Sequence, residues 1–249
     1  MTLHCLPKTN WCIVVADEHG PEWAPIMNVD ESRVPAQYSR LGESSTLLQR
    51  ALKRAVRIAP ASRVMITALE EYRDYWEPAL WCVRPQNRFV CENRAASLLT
   101  GAAAVLSITA ASPSSIVTIL PARCYVAREE VLRQALSHVF SMLPRVSEGV
   151  ATLGMVDMNE GVDEDYLVAA NVSAGPGLGV EGFARRPTAW IARRLRHQGA
   201  MIASGIMVGY AGAFVAHISK YWPGLTLKLM QLVAAASAAG EECEVPMDL

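Results

Sequence analysis

The chain has 249 residues, of which 51% are hydrophobic and 19% charged, and its formal net charge is -1. This composition excludes an intrinsically disordered chain and is enough to bury the core of one large α/β domain. The balanced charge, with no run of Lys or Arg, gives no reason to expect a nucleic acid partner. We expect a single domain over 1–249, with its core at about 11–232 and short tails at 1–10 and 240–249.

Apolar runs and amphipathic stretches alternate along the chain. A polar, Pro-bearing loop is expected over 17–38, and a helix over 45–58 with Ser44 or Ser45 as its cap. Strands alternating with helices predict an α/β fold with a mixed, mostly parallel sheet and helices on both faces. The predicted strands are 11–16, 63–67, 82–83, 115–120, 150–156, 166–172 and 204–208, and the further predicted helices are 70–80, 95–108, 128–143, 188–197, 213–221 and 225–239.

The apolar run 115–120 is the expected centre of the sheet. It contains no charge, which is typical of a strand buried on both faces, and Pro121 ends it. Open α/β sheets bind their ligands at the carboxyl ends of such strands. We therefore expect 11–16 as a neighbouring central strand, and a ligand site in the segments that follow the two strands.

Cysteine usage and hydropathy bear on where the protein works. The six cysteines lack C-x-x-C spacing, which favours free thiols in a reducing cytoplasm over disulfides or zinc. The uncharged segment 200–216 holds three glycines and fits a buried strand followed by a helix better than a membrane span. Residues 1–10 have no signal-peptide core. We expect a soluble, cytoplasmic protein with no membrane partner.

Seven short fragments follow one another along the chain: Trp11 to Ala16, Pro35-Ala36-Gln37-Tyr38, Ser45 to Arg50, Glu92-Asn93-Arg94, Leu120-Pro121-Ala122, Phe183 to Pro187 and Ser204-Gly205-Ile206. In this order they resemble the sugar-phosphate nucleotidyltransferases, and most closely mannose-1-phosphate guanylyltransferase. The resemblance covers about residues 11–232 and implies a Rossmann-like nucleotidyltransferase fold. Each fragment alone is weak, but their shared order is specific.

The resemblance implies a definite chemistry. In the family, mannose 1-phosphate attacks the α-phosphate of GTP to give GDP-mannose and pyrophosphate, and a divalent metal neutralises the charge. Phosphoryl transfer of this kind depends on positioning and on cations aimed at the phosphates. The family provides a G-G-x-G-T/S-R loop after the first strand, a Lys in P-K-Q, an Asp in P-A-D, an E-K-P turn and N-S-G near the sugar.

The phosphate loop of this chain departs from the family pattern. Asp17 and Glu18 stand for the glycine pair, Gly20 is retained, Pro21 stands for Thr or Ser, and Glu22 stands for Arg. Glycine lets backbone N–H groups approach an anion, whereas carboxylates repel it. Two like charges about 4 Å apart repel by roughly 1 kcal/mol in water and about 4 kcal/mol at a surface-like dielectric. Alternatively, these acidic residues belong to a solvent-exposed loop with no role in binding.

The other motif positions are also replaced. Ala36 stands for the Lys of P-K-Q, Arg123 for the metal-binding Asp and Cys124 for the adjacent His. An arginine cannot coordinate magnesium, so it is either a surface residue or a substitute for the metal's charge. Cys124 fits a small buried residue better than a nucleophile, because nothing in the sequence suggests its activation. Arg185 and Arg186 stand for the Glu and Lys of E-K-P, and Ala203 for the Asn of N-S-G.

The resemblance therefore implies a nucleotide-binding set and a sugar-binding set of residues, but the family's catalytic residues are not intact. We assign no catalytic residue or metal ligand, and the family-equivalent catalytic positions are Glu22, Ala36 and Arg123. We also expect Arg123 to pair with Asp17 or Glu18 in the place of the phosphates and metal. The nucleotide set is Ala16, Asp17, Glu18, Gly20, Gln37, Asn93 and Arg94, and the sugar set is Arg185, Arg186, Ala203 and Ser204.

Three functions remain open from the sequence. The favoured one is a catalytically impaired family member that binds a nucleotide or nucleotide sugar, or regulates an active family member in a homo- or hetero-oligomer. The second is an active sugar-1-phosphate nucleotidyltransferase with an altered cation arrangement, and only this one would need magnesium. The third is a fold reused for unrelated binding.

Overall fold

The computed structural model describes residues 9–17, 34–40, 44–93, 96–156, 164–174 and 177–246. Within them the chain alternates between strands and helices. The strands are β1 Asn10–Val15, β2 Val64–Leu69, β3 Arg88–Cys91, β4 Ile116–Pro121, β5 Val150–Met155, β6 Tyr166–Ala174, β7 Gly177–Ala184, β8 Met201–Tyr210 and β9 Cys243–Val245. The α-helices are α1 Leu47–Ile58, α2 Arg73–Trp76, α3 Ser97–Ala111, α4 Glu129–Met142, α5 Ala189–His197, α6 Ala211–Tyr221 and α7 Pro223–Ala239.

All nine described strands form one sheet. Its order is β7-β6-β8-β4-β1-β2-β3-β9, and β5 also pairs with β8. The central pair is β1 and β4, which run parallel with Trp11 opposite Val117 and Val14 opposite Leu120. This confirms that 11–16 and 115–120 form neighbouring central strands.

Most strands of the sheet point in one direction. The pairs β1–β2, β1–β4, β2–β3 and β3–β9 are parallel. Both β5 and β6 are antiparallel to β8, which is itself antiparallel to β4. Among the described strands, only β7 and β8 therefore run against the rest. The prediction of a mixed, mostly parallel sheet is confirmed.

Apolar side chains on both faces of β1 bury it between two layers of helices. Cys12 and Val14 belong to a core that includes α1 residues such as Leu48 and α4 residues such as Leu136. Ile13 points into the second core, which is built by α3, α6 and α7. Successive strand residues face opposite sides, so an uninterrupted apolar run requires cover on both faces. The predicted helices on both faces are confirmed.

Helix α1 begins at Leu47, and its cap is Thr46, one residue after Ser45. The hydroxyl of Thr46 accepts a hydrogen bond from the backbone N–H of Gln49 over 3.2 Å, and the Gln49 side chain accepts one from the N–H of Thr46 over 3.0 Å. This reciprocal capping box satisfies two N–H groups that the first turn leaves unpaired. The assignment of the cap to Ser44 or Ser45 was wrong.

Several predicted elements differ from those observed. Residues 82–83 are not a strand, and the third strand is Arg88–Cys91, in a segment where we predicted neither a strand nor a helix. The expected helix 70–80 is broken into short turns around α2, because Pro78 cannot continue a helix from the preceding turn. Two further strands went unpredicted. These are β7 and β9, and β9 pairs with β3 inside the segment that we expected to be a tail.

The uncharged segment 200–216 forms β8 and the start of α6, as predicted. No described helix combines the length and apolar character needed to span a bilayer. The cysteines at 12, 82, 91, 124 and 243 are free thiols.

Candidate functional site

The end of β1 is held by three hydrogen bonds. The side-chain amide of Gln37 and the hydroxyl of Tyr38 both donate to the carbonyl of Ala16, over 3.0 and 3.1 Å. The N–H of Ala16 donates to the carbonyl of Thr67 over 2.8 Å. All four residues are buried. The structure therefore brings Gln37 to Ala16, both members of the predicted nucleotide set, and fixes the backbone immediately after β1.

Asp17 is a buried carboxylate at the same edge. It is only 1% exposed, and its Oδ1 accepts a hydrogen bond from the hydroxyl of Thr67 over 3.0 Å. Burial raises the pKa of Tyr38, and the charge of Asp17 raises it further. Burial likewise raises the pKa of Cys91 to about 11, with a smaller contribution from Asp17. A buried charge costs free energy unless it is compensated, so the Thr67 hydroxyl stabilises a negative group at this edge.

The end of β4 lies directly beside the end of β1. Val15 is the register partner of Pro121, and the N–H of Ala122 donates to the carbonyl of Val15 over 2.7 Å. The next positions, Asp17 and Arg123, therefore extend from adjacent strands, although Arg123 itself is exposed. Glu18, Gly20, Glu22 and Arg94 lie outside the described residues. Within the described residues no ion pair joins Arg123 to Asp17, so only the pairing of Arg123 with Glu18 stays a prediction.

The loop after β4 is fixed to helix α1. The guanidinium of Arg50 lies 4.7 Å from the ring centroid of Tyr125 and donates to the carbonyl of Val126 over 3.3 Å. One turn further along α1, the buried Arg54 makes a two-bond ion pair with Glu129 of α4, at 3.0 and 2.6 Å. The segment that carries Arg123 is thereby anchored at its far end.

An aromatic cluster stands behind the β1 edge. The rings of Tyr38 and Tyr75 are stacked with centroids 5.7 Å apart, and Tyr72 lies 5.8 Å from Tyr38. Sequence reasoning missed this cluster and also missed Thr67. A usable signal for Thr67 was its position as the single hydroxyl in the apolar strand V-M-I-T-A-L.

The predicted sugar set comes together on the other side of β4. The N–H of Ala203 donates to the carbonyl of Asp165 over 2.7 Å, and the N–H of Arg186 donates to Oδ1 of Asp165 over 3.0 Å. Arg186 adopts a left-handed backbone with φ of 39°, which is uncommon for arginine. The side chains of Arg185 and Arg186 are exposed. Asp165, which the sequence did not indicate, is what joins this set.

Ser204 and Gly205 place this set against the end of β4. The Ser204 hydroxyl donates to the carbonyl of Leu153 over 2.6 Å and accepts the N–H of Ile206 over 3.1 Å. Gly205 has φ of 74°, and a Cβ there would lie 2.7 Å from Cγ of Pro121. Glycine is needed for both reasons. The Ser204 side chain is thus engaged within the sheet and contributes no free hydroxyl to a ligand.

Two further predicted positions, Ala36 and Asn93, carry no charged side chain. Ala36 is buried in the turn before α1, and Asn93, which follows β3, is half-buried with its carbonyl accepting the N–H of Ala96 over 3.2 Å. Among the described residues, no group of three His, Cys, Asp or Glu side chains is arranged to hold a metal ion. At the β1–β4 edge the described charged groups are Asp17, already bonded to Thr67, and Arg123. Magnesium requires several oxygen ligands, so this donor set does not fit it.

No protein-family model and no curated protein sequence matches the chain. Solved structures do. A Thermus thermophilus protein described as mannose-1-phosphate geranyltransferase matches with a TM-score of 0.71 and 21% identity, over 96% of this chain and 70% of the other. A Helicobacter pylori mannose-6-phosphate isomerase matches with a TM-score of 0.65 and 14% identity, over 95% of this chain and 85% of the other. An inositol-1-phosphate CTP transferase from T. maritima gives 0.53 and 14%, over 96% and 85%.

These likenesses define the class of fold. The chain is a Rossmann-like α/β protein, and those predicted site residues that the structure describes lie at the carboxyl edge of a mixed sheet. More particularly, it has the fold of the sugar-phosphate nucleotidyltransferases, as the sequence resemblance predicted.

Proposed function

We propose that this protein is a catalytically impaired relative of the sugar-phosphate nucleotidyltransferases, most similar to mannose-1-phosphate guanylyltransferase, which binds a nucleotide or nucleotide sugar and regulates an active partner in the cytoplasm. The observation that carries the proposal is the edge shared by β1 and β4. There a buried carboxylate, Asp17, is bonded to Thr67, and the neighbouring strand extends into an exposed arginine, Arg123.

The charges at this edge oppose the chemistry of nucleotidyl transfer. Transfer requires cations placed around a polyphosphate, and the negative charge of Asp17 repels that polyphosphate instead. The exposed Arg123 supplies one positive charge but no ligand oxygen, and Ala36 supplies no charge at all. A site that positions the substrates but does not neutralise the phosphate charge leaves most of the activation barrier to nucleotidyl transfer in place. We therefore infer loss of turnover with retention of the folded cleft.

The retained frame supports binding. Gln37 and Tyr38 hold the Ala16 carbonyl, so the backbone beside a nucleotide is rigid before any ligand arrives. On the sugar side, the exposed Arg185 and Arg186 offer guanidinium groups suited to a diphosphate, because each can donate two parallel hydrogen bonds. We propose that these arginines, beside Ala203 and Ser204, contact the diphosphate–sugar end of the ligand.

Calorimetric titration of GDP-mannose and GTP, with and without magnesium, tests the binding. We expect GDP-mannose to bind without magnesium, and an Arg185→Ala, Arg186→Ala double variant to weaken it by about tenfold or more. Arg193→Ala, on the following helix, is the control for a general loss of positive charge. Undetectable binding of both ligands, or equal weakening by the control, would contradict the proposal.

The second candidate is an active transferase in which Arg123 replaces the charge of the metal. The position of Arg123, exposed at the end of β4 in register beside Asp17, favours this alternative. It predicts turnover that is independent of magnesium and lost in Arg123→Ala, whereas the impaired protein has no turnover to lose.

A further inference from the structure

A cleft next to the candidate site is lined mainly by apolar side chains. It has a volume of ≈ 320 Å³ and lies between the segment that joins β4 to α4 and the strands β5 and β8. Its floor includes Leu153 and Ile206, and its wall on α4 includes Leu132 and Ala135. Small-molecule sites are concave and mostly apolar, with a few polar groups that orient the ligand.

The rim of the cleft exposes large apolar side chains to solvent. Tyr125, Val131 and Met155 are 50%, 51% and 45% exposed, and they belong to three different elements. Apolar surface that converges on a concavity marks a binding site more strongly than the same side chains scattered singly. The rim is also fixed, because Arg50 stacks on Tyr125 and donates to the Val126 carbonyl.

The lining offers little to a sugar. Recognition of a hexose needs free donors and acceptors for its hydroxyl groups, and an unpaired polar group on either side is costly. The Ser204 hydroxyl already donates to Leu153 and accepts from Ile206. The other polar groups of the described lining are the thiol of Cys124, the hydroxyl of Tyr125 and the guanidinium of Arg128. A polyhydroxylated ligand would therefore leave most of its hydroxyl groups unpaired there.

One positive charge is left at the mouth of the cleft. Arg128 precedes α4, is exposed, and has no ion pair within the described residues. The two acidic residues that follow it are already neutralised, since Glu129 pairs with Arg54 and Glu130 with Arg133. The local net charge is therefore positive, and it complements an anionic group.

We propose that this cleft binds an amphiphilic anion, a phosphate or similar headgroup carrying an alkyl chain, with the chain among Leu132, Leu153 and Met155 and the headgroup at Arg128. This site goes beyond the proposed function and does not rest on it. Absence of GDP-mannose binding leaves it standing, and absence of amphiphile binding leaves the nucleotide proposal standing.

Titration calorimetry with butyl, hexyl and octyl phosphate, all kept below micelle formation, tests the apolar part. Burying each methylene group should tighten Kd by up to about fourfold, so octyl phosphate should bind at least tenfold tighter than butyl phosphate. Met155→Glu and Val131→Asp, both at exposed rim positions, should each weaken octyl phosphate by about fivefold or more. Leu227→Glu, at an exposed position on α7, is the matched control and should change nothing.

The anionic part is tested with 1-octanol and Arg128→Gln. Octyl phosphate should lose about fivefold in affinity in this variant, while octanol should be unaffected. Affinity that is independent of chain length, equal weakening by the rim and control variants, or tighter binding of mannose 1-phosphate than of octyl phosphate would overturn the proposal. Equal affinities of octanol and octyl phosphate would overturn the assignment of the headgroup to Arg128.

Discussion

The hydroxyl of Thr67, in β2, donates a hydrogen bond to Oδ1 of Asp17, just after the neighbouring strand β1, over 3.0 Å. Both residues are almost fully buried. The hydrogen bond compensates a carboxylate at the edge where a nucleotidyltransferase would receive polyphosphate. It therefore joins the stability of the sheet to the electrostatics of the candidate site.

Replacing Thr67 by Val should destabilise the protein. The substitution keeps the shape of the side chain but leaves Oδ1 of Asp17 without that donor, so we expect a loss of about 1–3 kcal/mol in the free energy of unfolding. Chemical denaturation measures it. Thr118→Val is the matched control, because Thr118 is equally buried in β4 while its hydroxyl has no hydrogen-bond partner within the described residues. Equal losses in the two variants would contradict the stabilising role of the Thr67–Asp17 bond.

Removing the charge at the β1 edge should increase affinity for GTP. An Asp17→Gly, Glu18→Gly double variant removes like charges that cost about 1 to 4 kcal/mol each at close range, so we expect Kd for GTP to fall by about tenfold or more. Transfer should stay absent, because no cation is added. Glu148→Gly, before β5 at the opposite edge, is the control. An unchanged Kd in the double variant would show that these acids do not exclude the phosphates.

Two neighbouring acidic residues on α4 should contribute very differently to the stability of the fold. Glu129 pairs with Arg54, which is only 5% exposed, whereas Glu130 pairs with Arg133 on the surface. Glu129→Ala leaves the buried guanidinium of Arg54 without its ion-pair partner and should lower the free energy of unfolding by about 3 kcal/mol. Glu130→Ala lies in the same first turn of α4, so it shares any effect of the helix dipole but should leave the thermal midpoint nearly unchanged. Similar midpoints for the two variants would count against a structural role of the Arg54–Glu129 pair.

Stability should fall between about pH 9 and 11. Burial raises the pKa of both Cys91 and Cys243 from 9.0 to about 11. The folded state then holds more protons than the unfolded state in this window, so this contribution is complete below pH 9 and is lost as pH rises through the folded pKa. Chemical denaturation at several pH values should show that the free energy of unfolding declines less steeply with pH in a Cys91→Ala, Cys243→Ala double variant. Cys124→Ala is the control, and a decline unaffected by the double variant would refute the assignment.

Much of the fold could be predicted from the sequence, because apolar periodicity reports burial directly. The strands β1 and β4 are short uncharged runs and need cover on both faces, which fixes their central position. The missed strands carry weaker signals. Arg88–Cys91 begins in a polar segment, and Gly177–Ala184 holds three glycines, which strands disfavour. The pairing of β9 with β3 is a long-range contact that no local pattern encodes.

The sequence could predict which of the candidate residues lie near one another, but not how they are held. Motif order placed Gln37 beside Ala16 and Arg186 near Ala203, and the structure brings both pairs together. Two residues that fix these pairs belong to no motif fragment: Thr67, which bonds to Ala16 and Asp17, and Asp165, which joins Arg186 to Ala203. The position of Thr67 beside Ala16 depends on strand register, and Asp165 acts through both its backbone carbonyl and its carboxylate. No local sequence pattern shows either arrangement.

Pyrophosphate release from GTP and mannose 1-phosphate, in the presence of magnesium or manganese, tests the central claim most directly. An active guanylyltransferase assayed in parallel confirms that the reagents work. The impaired site predicts a rate at background for the wild-type protein and no change in Arg123→Ala. Release at ordinary enzyme rates, abolished by Arg123→Ala, would contradict it and establish an arginine acting in place of the metal.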